Sequence, residues 1–112
     1  MKFLLDFLEI YAKGLVHLAP ILVALLALIS GLGLQIGRLE GWSRTNALYF
    51  AFITATSVGY GDFVPHHRQA KWLAIWIALT GLLLTGLVVS IGLEAVSHAF
   101  EEARRAVAPI AP

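Results

Sequence analysis

The chain has 112 residues, 59% of them hydrophobic and 13% charged, with a formal net charge of +1. Such a length and apolarity exclude a soluble multidomain protein, and the near-neutral charge offers no footprint for a nucleic-acid partner. Without cysteine, disulfides and thiolate metal sites are excluded too.

Residues 1–13 place Phe3, Leu4, Phe7, Leu8 and Tyr11 at helical spacing, with Lys2, Asp6, Glu9 and Lys13 on other faces. This pattern predicts an amphipathic helix lying in a membrane interface, the alternative being a plain extension of the span that follows, since Gly14 breaks the register only weakly. Asp6 and Glu9 interrupt the apolar stretch too early for a cleaved leader, so the N-terminus is read as retained. The apolar run 15–34 has the roughly 20 residues needed to cross a hydrocarbon core of about 30 Å, and an outer helix is expected at 15–36. Pro20 falls in its early turns, and Gly31 and Gly33 near its far end are read as small residues without a clean spaced pair.

Residues 35–41 read as a short polar turret, followed by Trp42 at interface depth. Ser43 or Thr45 can then cap a helix at 43–56. The apolar part of that helix, 47–55, is about half a span long. It can enter a bilayer without crossing it, so both of its ends return to the same side, and backbone at that depth must be buried in protein or line water. After a strip at 57–62, Phe63-Val64-Pro65 turns the chain. His66 and His67 in the polar cap that follows read either as metal ligands or external pH sensors, or as solvated loop residues with no third ligand nearby in sequence.

An inner helix is expected at 70–100, with its span at 72–93 and Trp72 and Trp76 as interfacial anchors. Gly86, Ser90, Leu93 and Ser97 recur at three- and four-residue steps, a small and polar stripe that should line water. Glu94 flanks the stripe, either facing the same water or snorkelling to the interface.

The most informative stretch is Thr54-Ala55-Thr56-Ser57-Val58-Gly59-Tyr60-Gly61-Asp62. Glycines at alternate positions let the backbone take left-handed dihedrals, so that successive carbonyls turn to one side while Val58 and Tyr60 point their side chains away. Uncharged oxygen dipoles in a row, with the Ser57 hydroxyl at its head, suit a weakly hydrated monovalent cation.

This strip resembles the selectivity filter of potassium channels, and the chain as a whole is similar to the two-helix class of bacterial potassium channels. Thr54, Thr56, Val58, Gly59, Tyr60, Gly61 and Asp62 stand where that pattern has them, and Ser57 replaces the usual threonine, keeping a hydroxyl and losing a methyl. The resemblance implies an all-α membrane protein with two transmembrane helices, a re-entrant pore helix and a filter loop, all one pore domain over 1–112. It further implies assembly as a homotetramer in a lipid bilayer, conducting potassium passively. K+ would be held by Thr56, Ser57, Val58, Gly59, Tyr60 and Gly61, with no catalytic residues and no cofactor besides the permeant ion; a looser innermost ion site is expected from Ser57.

By the same resemblance Thr54, Asp62, Tyr49 and Trp42 support the filter. An aromatic cuff braces Tyr60, and Asp62 bonds to a pore-helix aromatic. Ile53 stands where some relatives carry a buried glutamate, so weaker filter inactivation is expected. Gly81 falls at the family's gating hinge, close packing against the pore helix being its other possible role. Glu94, with Gly86, Ser90, Leu93 and Ser97, is assigned to the cavity and inner mouth. Residues 1–13 correspond to a slide helix. Lys2, Lys13, Arg104 and Arg105 balance Arg38, Arg44, Arg68 and Lys71, so charge does not set the orientation. A cell-membrane location with both termini cytoplasmic rests on the resemblance alone.

No arginine-rich helix for voltage sensing is present, and residues 101–112 are read as too short for a ligand-binding domain. Direct pH sensing by His17 with His98, Glu101 and Glu102 is one gating expectation, solvated helix ends the other. A regulatory subunit is left open. A poorly selective channel would show a broken ladder, and a non-conducting assembly factor would have let the strip drift. No nucleophile stands beside a base, so no enzyme is indicated.

Overall fold

A computed structural model of the chain describes residues 1–107; the last part of the tail read above, 108–112, lies outside them. The described residues form four helices and no strand: α1 (Lys2–His17), α2 (Ala19–Glu40), α3 (Arg44–Ala55) and α4 (Arg68–Val107). Of these, α2 and α4 are long and apolar enough to cross a membrane. Contacts divide the chain into two units, Ile21–Gly86 and a second made of Met1–Pro20 with α4 from Leu87 onward.

In the Ile21–Gly86 unit the core gathers Ile29 and Ile36 of α2, Phe50, Ala51 and Ala55 of α3, and Ala70 and Ile77 of α4. Small residues let these helices meet. A Cβ on Gly33 would come within 2.5 Å of the Ala51 Cβ, and one on Gly37 within 2.6 Å of the Ala47 Cβ. Gly33 and Gly37 are therefore a spaced small pair after all, answered on α3 by Ala47 and Ala51, and the sequence reading that saw none among Gly31 and Gly33 is corrected. Gly31, which faces open space, is not part of the seam. At Gly81 a Cβ would overlap the backbone of Ala55, so the packing role is a real requirement of the fold, and α4 continues through Gly81 without a break.

The expected turret at 35–41 is instead the last turns of α2, which ends at Glu40, just before Gly41. There φ is +76° and the Trp42 amide donates to the Gly37 carbonyl at 2.9 Å, a Schellman-type stop in which glycine avoids the left-handed penalty. Of the two proposed caps for α3, Ser43 is the one used, its hydroxyl accepting from the Asn46 amide at 3.2 Å.

In the second unit α1 packs antiparallel along α4, with Phe3 against Phe100 (ring centroids 5.0 Å apart), Tyr11 beside Gly92 and Gly14 on Ile91. The helix extends to His17 rather than ending at 13, and the outer helix begins at Ala19 rather than 15. The interruption falls at Leu18 because Pro20 has no amide to donate and fits only the first turn of a new helix. Gly14, expected to mark the break, is inside α1 at the close approach to Ile91. The face turned to α4 is Phe7, Ile10, Tyr11 and Gly14, while Leu4, Leu5 and Leu8 stay exposed.

Candidate functional site

The strip leaves α3 at Thr56, whose hydroxyl donates back to the Phe52 carbonyl at 2.7 Å. From there three amides are bonded toward the end of α3: Ser57 to the Thr54 carbonyl at 3.2 Å, and Val58 and Gly59 to the single carbonyl of Ile53 at 3.0 and 3.3 Å. No peptide among the described residues is cis. In a planar trans peptide the C=O points opposite to the N–H, so the carbonyls of Thr56, Ser57 and Val58 are turned away from α3, all to one side.

The dihedrals agree with that arrangement. Ser57, Gly59 and Gly61 have φ of +67°, +55° and +82°, and the intervening Val58 and Tyr60 do not share the positive sign. Alternation of left- and right-handed residues is what directs consecutive carbonyls to one face instead of alternating them as a strand does. Only the glycine part of the pattern was expected. Ser57 is the one non-glycine residue with positive φ among the described residues, and a β-branched threonine would be more strained there.

Beyond Gly59 the strip changes character. Tyr60, Gly61 and Asp62 make no main-chain hydrogen bond among the described residues, and Tyr60 is 73% exposed. Asp62 faces the hydroxyl of Tyr49. The expected aromatic cuff exists but is built on Phe63: Trp42 lies 5.3 Å and Tyr49 6.1 Å from it, and Trp42 also meets Phe50 at 5.2 Å. Tyr60 joins none of these aromatic pairs, so within one chain the cuff holds the segment after the strip and not Tyr60 itself. Behind the strip lies a cavity of about 230 Å³ bordered by Ile53, Phe50 and Phe63, with no carboxylate opposite Asp62.

One residue of this site was missed altogether. Glu40 accepts from the amides of His66 at 2.9 Å and His67 at 2.8 Å, and His67 Nδ1 lies 2.5 Å from its Oε2. Its side chain is only 3% exposed, whereas that of His67 is 61% exposed. A carboxylate in the last turn of a helix opposes the helix dipole, and that is the signal which should have prompted a search for donors. Among the described residues no group of three potential ligands surrounds a metal position, so His66 and His67 are placed on Glu40 instead.

The remaining assignments separate. Gly86, Ser90, Leu93 and Ser97 are all exposed, on the side of α4 away from buried Ile91, Ala95 and Ala99. Glu94 instead borders a cavity of about 470 Å³ with His17, His98 and Lys13, its Oε1 being 3.7 Å from His98 Nε2. Glu102 borders a different pocket, beside Asp6 and Glu9, and Glu101 borders neither. The expected grouping of His17 and His98 with Glu101 and Glu102 is thus replaced by one with Glu94, because Glu94 is one helical turn before His98 on the face turned to α1.

The family model described as ion channel matches residues 8–98, and the chain belongs to this family. Its curated relatives include human potassium channel subfamily K member 17, 38% identical over 58% of this chain and 24% of that protein. Two-pore potassium channel 1 of Arabidopsis thaliana is 42% identical over 40% of this chain and 12% of its own length. TWiK family of potassium channels protein 7 of Caenorhabditis elegans is 30% identical over 53% of this chain and 11% of its own. The chain thus spans about a quarter or less of the relatives it matches. No solved structure matches it.

Proposed function

We propose that the chain forms a potassium-selective pore in a membrane, with α2 and α4 as spans and α3 as a re-entrant pore helix. The observation that carries this reading is the one-sided row of carbonyls from Thr56 to Val58, with alternating φ continuing to Gly61. Carbonyl and hydroxyl oxygens in such a row replace the hydration shell of K+ without the full charge that would trap it. The C-terminal end of α3 adds partial negative charge beside the innermost position.

A row on one chain cannot surround an ion. Four strips about an axis complete the ring, and in the two-helix class that the chain resembles four copies supply them. In the tetramer Thr56, Ser57, Val58, Gly59 and Tyr60 supply stacked sites, and repulsion between neighbouring ions drives conduction. Gly86, Ser90, Leu93 and Ser97, exposed on one side of α4, line the water-filled approach. The domain plan is that of the two-helix bacterial class, in the cell membrane with both termini cytoplasmic.

Purified protein in liposomes, assayed for potassium against sodium flux with barium as blocker, tests the reading. Wild type is expected to pass potassium at least about tenfold faster than sodium, barium stopping the flux. Within one chain Gly59→Ala meets no crowding, since nothing lies within 4 Å of its added Cβ. The backbone cost alone is about 1–2 kcal/mol per left-handed residue repeated around the ring, and the variant should lose selectivity or flux. Unchanged potassium preference in that variant would count against the row of carbonyls.

A further inference from the structure

The inner half of the strip is fixed by three amide bonds to α3, but the outer half has none, so its position depends on what holds the segment that follows. Three anchors lie within a few residues: Phe63 in the aromatic cluster, the buried Pro65, and His66 with His67 on Glu40. The first two are apolar packing. The third is a nearly buried carboxylate at the end of α2 whose two oxygens are taken by two amides and one imidazole.

We propose that His67 is a positioning residue for the outer half of the filter, acting through Glu40, and that its hold tightens when protons reach the loop side of the membrane. The inference rests on the pore reading above. A neutral imidazole donates from Nδ1 only in one of its two tautomers, whereas an imidazolium always donates, and a charge-assisted bond to a carboxylate is about twice as strong as a neutral one. Other ionisable groups on the elements meeting here are Arg38 on α2, Arg44 and Tyr49 on α3, Tyr60, Asp62, His66, and Arg68 and Lys71 at the start of α4, all exposed. No lysine or arginine pairs with Glu40 among the described residues, so His67 is the side chain through which pH reaches it.

Lower pH on the loop side is therefore expected to prolong conduction by keeping Tyr60 to Asp62 in register. The test is potassium current through the full chain in planar bilayers, with pH stepped from 8 to 6 in one chamber at a time and the lifetime of the conducting state recorded. In wild type the lifetime should lengthen about fivefold on acidification of one chamber, the worth of roughly one net hydrogen bond. His67→Ala should show the short lifetime at both pH values. His67→Asn puts an amide N–H near the place of Nδ1 and should keep a long lifetime that no longer responds to pH. A merely structural role for His67 would not separate donor from proton in this way. If wild type passes no potassium, the pore reading fails and this inference with it. If the current is potassium-selective but the three proteins behave alike at both pH values, the pore stands and the inference is overturned.

Discussion

Gly81 in the Ile21–Gly86 unit and Gly14 in the other both sit where a neighbouring helix comes close, yet what each would strike differs. A Cβ on Gly81 meets the main chain of Ala55, which cannot move without dragging the end of α3 and the strip with it. A Cβ on Gly14 meets the Cγ2 of Ile91, at 2.6 Å, a branch methyl that χ1 holds in place but that belongs to a side chain and not to the main chain. Overlap with main chain can be relieved only by moving a helix end, whereas overlap with a branch methyl can also be relieved by a costly change of χ1 or a small shift of one side chain.

Substitutions can sharpen or break that contrast. The largest effect is expected for Gly81→Ala, at about 3 kcal/mol or more of overpacking, seen as loss of the assembled protein from size exclusion and of potassium flux. Flux and assembly like wild type would show that α4 does not need this approach. Gly14→Ala should cost about 1–3 kcal/mol of overpacking, offset in part by the better helix propensity of alanine, so its melting temperature in detergent should fall, but by less than that of Gly81→Ala. A collapse as severe as that of Gly81→Ala would erase the distinction. Gly31→Ala, where nothing lies within 4 Å, should be neutral or stabilising by at most about 1 kcal/mol in the same melting assay.

Much of this was legible in the sequence. The two spans announce themselves by length and hydropathy, and the strip by glycines and hydroxyls whose spacing serves no ordinary turn. Ser43 as a cap follows from local chemistry. What stayed hidden depends on distant partners. An apolar helix does not say which side meets α3, so Gly33 and Gly37 went unpaired, although their spacing was there to see. The importance of Glu40 comes from main-chain amides 26 and 27 residues away, which no side-chain pattern advertises. The face of α1 was shifted for a similar reason: its partner is at the other end of the chain. The left-handed Ser57 is a property of how the strip is tied to Ile53, not of serine.

The stop at Gly41 bears on the order in which the molecule takes shape. It turns α2 onto α3 with Gly41, Trp42 and Ser43 alone outside the helices, so Gly37 finds Ala47 at small loop-closure entropy. Gly81 can reach Ala55 only after the whole stretch between them has folded back. A nascent chain is therefore expected to close its α2–α3 hairpin first and dock α4 second, leaving the segment between as the last to settle. The strip proposed to discriminate between ions is then a late product of folding, shaped by helices already in place.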